Sequence, residues 1–132
     1  MAHDSSVTWT TLTLDCADAE AMADFYSAVL GWAVTARDGD GWVQLRDPAG
    51  GVGLNIQAEP GYIPPVWPEA DGEPPKMMHL ELLVVDLEEA VERVVQAGGT
   101  PAAHQPPDRD PSRLRVMLDP AGHPFCLYVA GE

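Results

Sequence analysis

From Met77 to Asp86 the chain reads MMHLELLVVD, with Leu80, Leu82 and Val84 on one parity and His79 and Glu81 on the other. Positions two apart in a strand share a face. The stretch therefore predicts a strand over 77–85 with one apolar face and one face carrying an imidazole and a carboxylate. Asp86 follows as an N-cap, with Glu89 three residues on, a carboxylate form of the capping box. The helix LEEAVERVVQA then runs to Gly98-Gly99. The same order occurs earlier. Val7 to Leu14 reads as a strand, Asp18 as an N-cap, AEAMADFYSAVL as an amphipathic helix and Gly31 as its left-handed stop.

Each helix is followed by three short strand patterns. In the first half these are Ala33 to Ala36, Trp42 to Arg46 and Val52 to Gln57, separated by RDGDG and DPAGG. In the second they are Pro101 to His104, Arg113 to Leu118 and Phe125 to Val129, separated by QPPDRDP and DPAGH. Thr11 corresponds to His79 and Asp18 to Asp86 at one offset (79 − 11 = 68 and 86 − 18 = 68), as does Gly31 to Gly99. Asp47-Pro48-Ala49-Gly50 recurs as Asp119-Pro120-Ala121-Gly122 after an offset of 119 − 47 = 72. A duplicated βαβββ unit follows, of class α+β, with module one about 6–57 and module two about 77–130 of a single domain spanning 1–132. Between them, residues 58–76 hold Pro60, Pro64, Pro65, Pro68, Pro74 and Pro75, which exclude helix and central strand. Tyr62, Ile63, Val66 and Trp67 make this connection apolar enough to pack, so it reads either as a rigid linker or as a pocket lid.

Composition narrows the function. A net charge of −14 over 132 residues argues against nucleic acid and anionic membrane surfaces as partners. No apolar run reaches the length of a membrane span, and MAHDSSVTWT lacks a signal-peptide core. Cys16 and Cys126 are too few for a disulfide framework, which points to a reducing, cytoplasmic setting.

Strand parity sorts the side chains. Leu12/Leu14, Val43/Leu45, Val52/Leu54/Ile56, Leu80/Leu82, Leu114/Val116/Leu118 and Phe125/Leu127/Val129 are expected to face the helices. The opposite faces collect Trp9, Thr11, Thr13, Trp42, Gln44, Asn55, Gln57, His79, Glu81, Arg115, Met117, Cys126 and Tyr128.

The segments LDCADAEAMADFYSAVLGW, HLELLVVDLEEAVERVVQAGG and DPAGHPFCLYV resemble those of the vicinal oxygen chelate superfamily, the glyoxalase and bleomycin-resistance fold. GYIPPVWP, MHLEL and GHPFCL resemble its glyoxalase-like branch. The resemblance implies two tandem βαβββ modules forming a curved mixed sheet around a cavity for a small organic molecule, and a homodimer. It also implies metal positions near Thr11, His79, Gly53 and Cys126. Of these only His79 keeps an expected ligand type, so no metal and no other cofactor is expected, although Glu81 and Cys126 could complete a rearranged zinc site.

His79 itself reads either as a hydrogen-bonded core histidine or as the proton-transfer group of a metal-free pocket, with Glu81 orienting it. Trp9, Thr11, Trp42, Gln44, Asn55, Tyr62, Trp67, Arg115, Met117, Cys126 and Tyr128 are the candidate ligand contacts. Arg115 would either neutralise Glu81 or meet a ligand carboxylate. His104 and His123, next to loops and prolines, read as structural or solvated. The resemblance leaves three functions open: a metal-independent lyase or isomerase, a drug- or metabolite-sequestering binder, and a metal-dependent lyase or dioxygenase.

Overall fold

The computed structural model describes residues 6–130; the first five residues of the segment read for a signal core lie outside it. In chain order it runs β1 (Thr11–Cys16), α1 (Ala19–Leu30), β2 (Ala33–Asp38), β3 (Trp42–Arg46) and β4 (Gly53–Ala58). The second half repeats the order as β5 (Glu81–Val84), α2 (Leu87–Ala97), β6 (Thr100–Pro101), β7 (Leu114–Leu118) and β8 (Pro124–Val129). The first sheet is ordered β1-β4-β3-β2 and the second β5-β8-β7-β6. In each, the strand before the helix pairs in parallel with the last strand, and the remaining pairs are antiparallel. The duplicated unit read from the sequence is thus the fold, built as two separate four-stranded sheets.

Both helices start and stop as their end residues dictate. The carboxylates of Asp18 and Asp86 accept from the backbone N–H three residues on, at 3.1 Å each. Gly31, at φ 74°, returns its N–H to Ser27 O; the second helix is closed by Gly98 rather than Gly99. Gly99 has a different task. A Cβ there would lie 2.6 Å from Val94 Cγ1 and 2.9 Å from Phe25 Cε1, so the close approach of α1, α2 and β7 requires its absence.

The two modules share one core. Met22, Phe25 and Tyr26 of α1, Val43, Leu45 and Ile56 of the first sheet, and Met117, Phe125 and Leu127 of the second belong to one buried cluster. Phe25 and Phe125 meet edge to face at 6.1 Å, which joins α1 to β8. Tyr26, fully buried, donates its hydroxyl to Asp119 at 2.7 Å. Burying each such large side chain stabilises by about 1.5–3 kcal/mol, so this shared cluster holds the halves together without a continuous sheet.

Strand boundaries differ from the sequence reading at the edges. Residues 77–80 belong to no regular strand, β5 starting only at Glu81, and β1 starts at Thr11 rather than Val7. A larger difference lies in β7. Leu114 pairs with Tyr128 and Val116 with Cys126, which places Leu114 and Val116 on the open face. Arg115 and Met117 therefore turn to the helix side, the reverse of the expected parity: Met117 is fully buried, and Arg115 reaches Glu88 of α2 at 2.7 Å. A one-residue slip exchanges every side chain between faces, and β7 has apolar residues on both parities.

Candidate functional site

The sheet faces turned away from the helices carry the polar residues. On the second sheet Glu81 pairs with Cys126 across the parallel β5–β8 ladder, and His79, two residues upstream, brings its Nε2 to 3.4 Å from Glu81 Oε2. Imidazole, carboxylate and thiol donor atoms all lie within 4.8 Å of one another. The His79 side chain is 34% exposed and that of Glu81 61%, so His79 is not a core histidine. Burial and then the charge of Glu81 push the Cys126 thiol pKa up, opposed by Arg109 and Lys76.

Beside this cluster is a cavity of about 480 Å³, whose walls include Glu81, Leu114, Tyr128, Arg109 and Arg113. That volume suits a small organic molecule. The loop 105–113 supplies its cationic wall. Arg113 donates to Ala130 O at 2.9 Å, whereas no hydrogen bond or ion pair holds the Arg109 guanidinium among the described residues. Neither arginine was a candidate from the sequence. The available signal was two of the seven cations of a strongly acidic chain clustered in QPPDRDPSR.

The other candidates are scattered. Gln44 donates to Asn55 at 3.3 Å and takes the Thr35 hydroxyl at 3.2 Å on the open face of the first sheet. Trp42 lies beside Gln57 on the same face, and Thr11 beside Gly53. Trp9 is 70% exposed, its indole N–H bonded to Thr11 O. None of Trp9, Thr11, Trp42, Gln44 and Asn55 lines the 480 Å³ cavity, which is walled by the second module alone.

The Pro-rich connection is ordered and docked. Trp67 donates to His104 O at 3.0 Å, Lys76 sits 4.2 Å above the Trp67 ring and pairs with Glu69, and Tyr62 donates to Ala121 O at 2.8 Å. Burial, then the charge of Asp119, push the Tyr62 phenol up to about 12.

The metal positions implied by the resemblance are only half furnished. Thr11 and Gly53 offer no imidazole or carboxylate, and Cys126 stands where the resemblance calls for a carboxylate. His79, Glu81 and Cys126 remain as a compact donor trio on one module, which does not reproduce a ligand set shared between modules.

A duplicated βαβββ chain with open polar sheet faces defines the glyoxalase and bleomycin-resistance fold of the vicinal oxygen chelate superfamily. Residues 11–128 match the family model described as glyoxalase-like domain, and the chain belongs to that family. Solved structures agree in fold. A glyoxalase-related enzyme from Fulvimarina pelagi is 23% identical with a TM-score of 0.64, covering 93% of this chain and 88% of its own. A glyoxalase/bleomycin resistance protein from Albidiferax ferrireducens T118 is 19% identical with a TM-score of 0.58, covering 93% and 98%. TnmS3, an antibiotic binding protein from Streptomyces sp. CB03234, is 19% identical with a TM-score of 0.58, covering 98% and 100%. No curated protein matches the sequence. No helix among the described residues is long and apolar enough to cross a membrane.

Proposed function

We propose that the open face of the second sheet binds a small organic molecule and moves a proton on it with the His79–Glu81 pair, in lyase- or isomerase-type chemistry. The observation that carries this is the 3.4 Å approach of the two side chains, with Glu81 also forming a wall of the 480 Å³ cavity. A proton leaving a carbon next to a carbonyl passes to the imidazole, whose new charge the Glu81 carboxylate balances. The oxygen of the resulting enolate is then met by the unengaged Arg109 guanidinium, and the proton returns to a different atom. Arg109 and Tyr128, which line the cavity, would hold the ligand.

A second reading, sequestration without turnover, is favoured by the exposure of Glu81, because water is not excluded from the pair. A second copy of the chain would change that exposure. Leu83 and Val85, 59% and 102% exposed, continue the Glu81 face in apolar form, and β1 and β5 are both sheet edges. A homodimer covering them would also close the site. Both cysteines are free thiols, in keeping with a cytoplasmic setting.

The test follows α-proton exchange in D₂O by NMR for a panel of small carbonyl compounds. His79→Gln should lower exchange by about 10²–10⁴-fold while leaving ligand affinity within a few-fold. Exchange by wild type with no loss in the variant would remove His79 from the chemistry. Ligand binding without exchange on any compound would establish the binder.

A further inference from the structure

The turn between β7 and β8 carries a side chain that the turn itself does not need. Asp119, 4% exposed, accepts from the backbone N–H groups of Ala121 and His123 at 2.9 and 3.0 Å and from the Tyr26 hydroxyl. These bonds close the turn and tie it to α1. The matching turn of the first module is closed in the same way, with Asp47 accepting from Ala49 N at 2.9 Å and Gly50 N donating to Asp47 O. Where His123 stands in the second module, the first has Gly51. The imidazole is therefore an addition to a turn that folds without one.

Its surroundings fix how it presents. Nδ1 lies 2.8 Å from the buried Asp119 carboxylate, which keeps the ring proton on that side and leaves Nε2 as the acceptor. Nε2 is 3.3 Å from the Tyr62 hydroxyl, but that hydroxyl has its better acceptor in Ala121 O at 2.8 Å. The imidazole lines a cavity of about 440 Å³ beneath the Pro-rich connection, one that includes neither His79 nor Glu81. Ile63, Met77 and Met78 also line it; they are 68%, 89% and 71% exposed, three of the eight large apolar side chains left in water among the described residues. Pro74 and Pro75 give that wall a fixed backbone, whereas methionines adapt to a ligand's shape. Besides Asp119 and Tyr62, the ionisable groups near the ring include Tyr26, which shares the Asp119 carboxylate, His79, which lines a smaller cavity of about 80 Å³ with His123, and Asp15 and Lys76, the latter held by Glu69 at 3.3 Å.

We propose that this cavity is a second small-molecule site, for a planar aromatic molecule bearing a hydroxyl that donates to Nε2 of His123. The occupant is argued from the chain itself. Tyr62 already seats a phenol in this corner, its ring 5.9 Å from that of His123, and a ligand hydroxyl would take the position the Tyr62 oxygen now crowds. The 440 Å³ cavity does not itself include His79, although His79 and His123 both line a smaller cavity of about 80 Å³ that shares Thr13, Leu14, Met78 and Pro124 with it.

The probes are 2-naphthol and naphthalene, which differ only in the hydroxyl, titrated into the full chain while histidine ring nitrogens are followed by NMR. In wild type, 2-naphthol should shift Nε2 of His123 and bind about 3–10-fold more tightly than naphthalene, the worth of one hydrogen bond. Tyr62→Phe should raise 2-naphthol affinity, and His123→Phe should equalise the two probes. Glu81→Gln should change neither. Equal affinity of the probes for wild type would overturn the proposal, as would an unmoved His123 signal or a preference that survives His123→Phe. Binding that weakens as the protein self-associates would also overturn it, by showing a second copy on the apolar wall. The wild-type His123 signal decides the matter if the His123 variant does not fold.

Discussion

Tyr26→Phe removes one oxygen from the centre of the molecule and tests how the modules are joined. The Tyr26 hydroxyl donates at 2.7 Å to a carboxylate that is itself 4% exposed, and the ring is fully buried. A hydrogen bond to a charged acceptor contributes about 1.5–3 kcal/mol. Asp119 would keep Ala121 N, His123 N and the His123 ring, so its charge is not orphaned and the loss should stay within that range. For a chain of this length that is a fall in melting temperature of about 5–11 °C. The pH dependence is the sharper readout. Burial, then the Asp119 charge, raise the Tyr26 pKa well above the ordinary 10.0. A group with a raised folded-state pKa contributes stability that is fully present below its unfolded value and is lost as pH rises towards the folded one. The gap between wild type and Tyr26→Phe should therefore be full at pH 7.5 and shrink above about pH 10. Urea unfolding at pH 7.5, 9, 10 and 11 measures it. A cost below about 0.5 kcal/mol at pH 7.5, or a gap that widens with pH, would refute the role given to this bond.

Two further outcomes follow from packing. Gly99→Ala would place a Cβ 2.6 Å from Val94 Cγ1 and 3.0 Å from Leu118 O, and should destabilise by about 1–3 kcal/mol in thermal unfolding; an unchanged melting temperature would show that α2 can shift freely. Cys16 is fully buried and its thiol is pushed up to about 11, by burial first and then by Asp119, while Cys126 is only partly buried. At pH 8 a disulfide reagent should modify one thiol per folded chain, Cys126, with the second appearing only on unfolding; mass spectrometry finding Cys16 modified first would contradict the packing.

What the sequence determined is the part of this protein governed by local chemistry. Asp18, Gly31 and Asp86 set helix ends through bonds to backbone only a few residues away, so both helices could be read from the chain. The repeated DPAG turns and the alternation in β3, β4 and β8 placed the duplicated unit, because their apolar residues fall on one parity. Tertiary structure decided the rest. In β7, Leu114, Val116, Met117 and Leu118 are apolar on both parities, and only pairing with β8 assigned Met117 to the core and Arg115 to Glu88. The trio of His79, Glu81 and Cys126 joins residues of one extended stretch to a strand more than forty positions away, and the β5–β8 register alone makes them neighbours. Arg109 did not stand out for the same reason, and His123 read only as structural or solvated. Loop path and a buried carboxylate give them their surroundings, and neither leaves a periodic trace in sequence, since cavity walls are assembled from segments with no fixed spacing.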